Sequence, residues 1–267
     1  VVSKHELGGR LESLRKKWHR QFVEIIALDA LGKLSIQQSK TLQTALAEAS
    51  IETALAISKH EIAQRYSVEH EVIHIAVLGL GKLGGSGVDY DSDLDLVMAY
   101  GDESSFEMAS KTVEMFVNAL SAMTRDGSLY RVDLRLRPHG KDGALAISRS
   151  SFIDYIRNTA AIWEMLAFVK LRGVGGDLEL AKATEAEIRD TIFEKAGIIS
   201  ADELADETRR IRIGLEMNRT GPRRKHEIDI KYGSGGMLDI YFAIRFLQLR
   251  DGVRDIADDR STGRTLE

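Results

Sequence analysis

The chain has 267 residues, 43% of them hydrophobic and 29% charged, with a formal net charge of −4. That composition suits a globular protein with a sizeable core, and it argues against nonspecific nucleic-acid binding over the whole surface while leaving a local basic groove open. The absence of cysteine excludes a disulfide framework and thiolate metal ligands. No apolar stretch approaches the roughly 20 residues that span a bilayer, and no signal peptide opens the chain. The expectation is a cytoplasmic protein with no membrane and no nucleic-acid partner. A first residue of Val1 and an end inside apparently helical sequence at Glu267 point to a piece of a longer chain.

Residues 11–31 and 36–66 carry apolar positions at spacings of three and four and read as two amphipathic helices, broken at Gly32 and Ser35. The character changes at Val72. The run 72–80 is β-branched, long enough for a buried strand and too short for a buried helix. Residues 93–100, 129–136 and 144–148 read as further strands, with a helix at about 104–124. From Ser150 onward helices return at 150–170, 178–196, 200–218 and 236–250. The expected layout is α+β: a helical N-terminal segment at 1–68, an α/β centre at 69–178 with a small mixed sheet, and a helical C-terminal piece at 179–267 that continues past the end of the chain.

The chemistry concentrates at Asp93-Leu94-Asp95. Residues two apart on a strand share a face, so both carboxylates project together while Leu94 and Leu96 turn into the core. Two adjacent carboxylates repel, and a hard divalent cation such as Mg²⁺ neutralises them. The glycine-rich run before them, Gly84-Gly85-Ser86-Gly87, lets a triphosphate approach the backbone. Asp133 lies on another expected strand, where Arg131, Asp133, Arg135 and Arg137 would share one face, the arginines as phosphate ligands beside the metal site. Together these features point to metal-assisted transfer to or from a nucleotide phosphate.

Three other motifs overlap this segment and fail. Gly79-Leu80-Gly81-Lys82-Leu83-Gly84 matches a dinucleotide-binding fingerprint, but a second strand follows about ten residues on, leaving no room for the required helix. A P-loop needs Ser or Thr where Leu83 stands. The alternation Asp89, Asp91, Asp93, Asp95 lacks the turn glycine and final glutamate of a calcium loop. Elsewhere the readings are plain: Trp163, at helical spacing with Tyr155, Ile156 and Ala167, is expected in the core, Arg223-Arg224-Lys225-His226 is an exposed loop, and His139 is an exposed loop histidine.

Gly79-Leu-Gly-Lys-Leu-Gly-Gly85 followed by Ser92-Asp-Leu-Asp-Leu96 resembles the signature of glutamine synthetase adenylyltransferases, members of the polymerase-beta-like nucleotidyltransferase superfamily. Arg131-Val-Asp-Leu-Arg-Leu-Arg-Pro-His-Gly140 is similar to that family's second block. Trp163-Glu164 with Lys170, Arg172 and Gly176-Asp177 is similar to a third, and Asp229-Ile-Lys-Tyr-Gly-Ser-Gly-Gly-Met-Leu-Asp-Ile240 to a fourth. The blocks run in family order over residues 77–250. The chain departs from the family at Gly87 and Tyr241, where glutamates are usual, and at Arg245, where glutamine is usual.

The resemblance implies a polymerase-beta-like domain flanked by N-terminal helices and a C-terminal helical bundle. It implies transfer of AMP from ATP to a tyrosine of glutamine synthetase, or its removal by phosphorolysis, with Mg²⁺ or Mn²⁺. Asp93, Asp95 and Asp133 would hold the metals, and Asp133 would take the tyrosine proton. Gly84, Gly85, Ser92, Lys82, Arg135, Arg137, Lys170 and Arg172 would meet the nucleotide. Glutamine synthetase is the implied protein substrate, with a nitrogen-signalling regulatory protein as a further partner. The alternatives are a nucleotidyltransferase with another acceptor and a non-catalytic nucleotide-sensing domain.

Overall fold

The computed structural model describes residues 2–69, 73–217, 229–255 and 260–266, with side chains from residue 6 onward. Two long helices open it, α1 (Val2–Ala30) and α2 (Ile36–Tyr66). The break between them is chemical. Gly32 adopts φ +65, and Ser35 caps α2 in a reciprocal box in which its hydroxyl accepts from the Gln38 amide (3.2 Å) and its own amide donates to the Gln38 side chain (2.8 Å).

The sheet follows: β1 (Ile75–Gly79), a single helical turn α3 (Gly81–Gly84), then β2 (Leu94–Tyr100), helix α4 (Phe106–Ser121), and the two-residue strands β3 (Val132–Asp133) and β4 (Ile147–Ser148). Helices α5 (Arg149–Asn158) and α6 (Ile162–Phe168) lead to β5 (Arg172–Gly176). The order across the sheet is β3-β2-β1-β5. β1 pairs antiparallel with β2 and β5, while β3 and β4 pair parallel with the start and end of β2 on its outer edge. Helices α7 (Leu178–Ala196), α8 (Ala201–Met217), α9 (Met237–Asp251) and the short α10 (Thr262–Thr265) complete the described chain.

Alternation along β1 and β2 divides two cores. Ile75, Val77, Leu94, Leu96 and Met98 join α1, α2 and α4 in one, with Ile51, Ala54 and Phe116 fully enclosed. Ala76, Leu78, Val97 and Ala99 join α5 to α9 in the other. This is the α+β arrangement expected, a small mixed sheet between helical layers. No helix among the described residues is long and apolar enough to cross a membrane.

Several expectations need correction. The strand expected over 129–136 is only Val132–Asp133, because the chain turns immediately through Pro138 and a short 3₁₀ turn at Gly140–Asp142. The 144–148 strand shrinks to two residues. The helix expected over 150–170 breaks at 159–161, where Glu164 reaches back to accept from the Ala161 amide (2.9 Å) and restarts the chain as α6. Tyr155 and Trp163 therefore lie on different helices, and Trp163 is 40% exposed rather than in the core. β5 adds a strand where the sequence carries no strand pattern. The run 223–226 and the start of the first strand run at Val72 lie outside the described residues.

Candidate active site

The site forms where β1 ends and β2 begins. The Leu80 amide donates to the Asp95 carbonyl (2.9 Å), locking the turn after β1 onto β2. Gly81 enters that turn at φ +54, and a Cβ there would collide with the Asp95 carboxylate, so only glycine lets the turn pass so close. The loop from Gly85 returns through a compact cluster. Lys82 is hydrogen-bonded to Asp89 and reaches Ser92 Oγ (3.3 Å), while the Ser92 hydroxyl donates to Asp89 Oδ1 (2.6 Å). Burial pushes Asp89 up, but the Lys82 and Ser92 hydrogen bonds hold it below its usual range.

The three aspartates gather at this edge. Asp95 and Asp133 stand opposite each other on the parallel β2–β3 pair, and Asp93 immediately precedes β2. The half-buried Asp95 carboxyl is pushed up to about 6, first by burial, then by the negative charges of Asp133 and Asp93. Asp133 behaves oppositely. The Arg135 guanidinium donates to both its oxygens, Nη2 to Oδ2 at 2.5 Å and Nε to Oδ1 at 3.0 Å, and the Arg135 amide donates to Oδ1 at 2.8 Å, holding it below the usual carboxylate range. Asp93 accepts from Arg131 Nε (2.5 Å), while Arg131 Nη1 contacts the Asp91 carboxylate (3.0 Å). With Asp93 and Asp133 tied to arginines, no group of three acidic or imidazole side chains among the described residues is closed around a metal position. The donor set nevertheless suits a hard cation: all oxygens, with burial and the negative charges of Asp133 and Asp93 raising Asp95 against the weaker opposing charges of Arg135 and Lys170.

The other residues singled out from sequence divide into two groups. Gly84, Gly85 and Lys170 come together. A Cβ on Gly85 would lie 2.5 Å from Lys170 Nζ, and one on Gly84 would overlap the Lys170 carbonyl. Lys170 is buried and its charge opposes the rise of Asp95. Arg135 is 82% exposed beyond its Asp133 contact. Arg137 and Arg172 are placed differently. Arg137 donates to the carbonyls of Leu134, Lys141 and Gly143, knitting the 134–143 loop. Arg172 is buried, pairs with Glu48 of α2 (2.5 Å) and donates to the Leu83 carbonyl (2.9 Å). The arginines at 131, 135 and 137 do not share one face, because β3 ends at Asp133.

Some participants are not identifiable from sequence as part of the site. Asp89 and Asp91 organise Lys82, Ser92 and Arg131; their only sequence signal is the Asp alternation, which also fits the start of a calcium loop. Tyr241 of α9 places its ring 5.9 Å from Lys170 Nζ and 5.5 Å from Arg245 Cζ. Burial, together with the charge of Asp95, raises its phenol. Arg245 is fully buried, bonded to Gln248 and to the Arg260 carbonyl (3.1 Å). The departures from the family pattern at 241 and 245 thus form one packed pair above Lys170. In the fourth block, Asp239 accepts from Arg212 Nε (2.5 Å), joining α8 to α9.

A family model described as glutamate-ammonia ligase adenylyltransferase matches residues 2–187. The chain is similar to proteins named bifunctional glutamine synthetase adenylyltransferase/adenylyl-removing enzyme. That of Psychromonas ingrahamii is 33% identical over 93% of this chain and 28% of its own length. That of Stenotrophomonas maltophilia is 33% identical over 91% and 27%, and that of Methylococcus capsulatus 32% identical over 96% and 28%. The chain spans little more than a quarter of the length of these relatives. The extent of the family match, joined to the ordered motifs and the carboxylate edge, shows that this chain belongs to the glutamate-ammonia ligase adenylyltransferase family.

Proposed function

We propose that the chain is a nucleotidyltransferase unit that moves AMP between a nucleotide and a tyrosine of glutamine synthetase, with residues 69–178 carrying the chemistry and 1–68 and 179–267 as helical flanks. The observation that carries this reading is the Asp95–Asp133 register pair, joined by Asp93 and faced by the Gly84–Gly85 turn and Lys170. Such a carboxylate edge has no role in packing.

Asp93, Asp95 and Asp133 would hold Mg²⁺ or Mn²⁺, which when bound neutralises the reacting phosphates. Gly84 packs against the Lys170 carbonyl and so fixes the turn, while Gly85 and the Lys170 ammonium beside it would meet the β- and γ-phosphates, the lysine as a fixed positive charge. Arg135, exposed and held through Asp133, can turn to the phosphate as charge develops. Asp133, ionised, takes the proton from the attacking hydroxyl. Arg137 and Arg172 act by holding the loop and the α3 turn in place. The reverse step, phosphate attacking the tyrosyl-AMP bond, uses the same groups. A nitrogen-signalling protein acting on the helical flanks, in the cytoplasm, belongs to the same reading.

The test uses purified chain, Mg²⁺ and α-labelled ATP with glutamine synthetase, beside phosphate-dependent ADP release from pre-adenylylated synthetase. Activity in one direction, lost in Asp95→Asn, is expected. Activity in neither, with the protein folded, would overturn the proposal.

A further inference from the structure

A cavity adjoins the carboxylate edge. It has a volume of about 420 Å³ and lies between α1, the loop leading to β2 and the segment leading to β3. Four aromatic side chains wall it: Trp18, Phe22, Tyr90 and Tyr130. Trp18 stacks on Phe22 (4.7 Å, 18°) and meets Tyr130 edge-on (5.5 Å, 82°), while Phe22 meets Tyr90 at 5.9 Å. Such arrays offer further rings both face and edge contacts. Two of its lining side chains stay exposed, Tyr90 at 41% and Ile26 at 40%. Its polar rim is the site itself, since Asp91 and Arg131 line it and Arg131 donates to Asp93.

Sheet order decides what such a pocket serves. Gly85 and Lys170, which would meet the departing phosphates, follow β1 and precede β5, on one side of Asp95, while Ser92 lines the cavity itself. Asp133 and Arg131 belong to β3 and its approach, on the other side. An in-line displacement at the α-phosphate needs the attacking oxygen opposite the departing pyrophosphate. With pyrophosphate on the β1–β5 side, the attacker enters from the β3 side, where the aromatic cavity opens.

We propose that this cavity receives the phenol ring of the acceptor tyrosine, its hydroxyl projecting past Arg131 toward Asp133. The inference rests on the tyrosine-transfer reading above and adds where the acceptor docks. In the step itself the phenol oxygen bonds to the α-phosphorus, the bond from that phosphorus to the bridging oxygen breaks, pyrophosphate leaves with that electron pair, and Asp133 takes the phenol proton.

Two measurements test it. In steady-state transfer, Phe22→Ala and Ile26→Glu should raise KM for glutamine synthetase on the order of tenfold with KM for ATP unchanged. Independently of turnover, N-acetyltyrosinamide should perturb the fluorescence of Trp18 in a Trp163→Phe background, and Ile26→Glu should abolish that response. A change in KM for ATP instead would make the cavity the base subsite and overturn the proposal. Unchanged constants for both substrates, or no fluorescence response, would also overturn it. Absence of both transfer and phosphate-dependent removal by the unsubstituted chain would instead remove the tyrosine reading on which the inference stands, an outcome distinct from a working enzyme indifferent to the cavity.

Discussion

Asp95 and Asp133 stand opposite each other across a parallel strand pair only two residues long, yet their carboxyl groups are driven in opposite directions. The difference lies in their partners. Arg135 grips Asp133 at two oxygens, whereas Asp95 is partly buried with two negative neighbours. A site that keeps one carboxylate charged and the other strained beside it is built to receive positive charge from outside the chain.

Arg135 and Arg137 are two residues apart and should respond differently to removal. Arg135 is exposed and touches only the site, so Arg135→Ala should lower transfer on the order of a hundredfold with little change in melting temperature. Arg137 satisfies three loop carbonyls. Arg137→Ala should therefore cost about 1–3 kcal/mol of stability and show it in a urea midpoint. Equal effects on melting would refute the assignment.

Gly84 and Gly85 also separate. A Cβ at 84 meets the backbone carbonyl of Lys170, which has nowhere to move, while one at 85 meets first the flexible end of the Lys170 side chain. Gly84→Ala should destabilise the fold by about 1–3 kcal/mol. Gly85→Ala should fold and instead weaken ATP binding, because Lys170 must swing aside. Calorimetric melting and nucleotide titration of the two variants make the comparison. A Gly85→Ala protein that melts as early as Gly84→Ala would contradict it.

The two central strands are legible in the sequence because a short continuous apolar run, or strict alternation, fits a strand buried in a sheet and little else, and Asp95 follows from that alternation. β5 is not legible, because Arg172-Gly-Val-Gly-Gly176 lacks the side chains by which a strand is recognised. Its pairing with β1 is a backbone matter, and its glycines are dictated by neighbours: a Cβ on Gly175 would sit 3.0 Å from Ile51 of α2, and one on Gly173 3.1 Å from Ala181 of α7. The arginines of the second block mislead for a related reason. Alternating charge after Asp133 imitates a strand, but Pro138 and Gly140 (φ +58) turn the chain away. Tyr241 comes to the site by tertiary packing of α9, which no local pattern encodes.

Lys170 and Arg172 share a sequence block but not a task. Arg172 joins β5 to α2 and to the turn after β1, and replacing it leaves Glu48 and the Leu83 carbonyl without their donor. Arg172→Met should cost about 2–4 kcal/mol, read in a denaturation midpoint. Lys170→Met, at an equally buried position, should leave that midpoint nearer the parent and raise KM for ATP. If Lys170→Met proved the more destabilising of the two, its charge would be structural and the phosphate role would fall.

Asp95 makes the final prediction, in protein stripped of divalent ions. Its carboxyl in the folded chain titrates at about 6, above the ordinary value of 3.8. The charged form is therefore the penalised one. Stability attached to this group is fully present below 3.8, falls as pH rises through 6, and is lost at neutral pH. Asp95→Asn removes the penalty. The variant should be more stable than the parent by about 2–3 kcal/mol at roughly pH 7.5, and the two should coincide near pH ~3.5, with the gap opening between. Urea unfolding across that range measures it. Added Mg²⁺ should stabilise the parent at neutral pH and leave the variant nearly unmoved, because the ion supplies the positive charge that Arg135 and Lys170 do not fully provide. A variant less stable than its parent at neutral pH would mean that Asp95 is already satisfied within the fold, and that the carboxylate edge is structural.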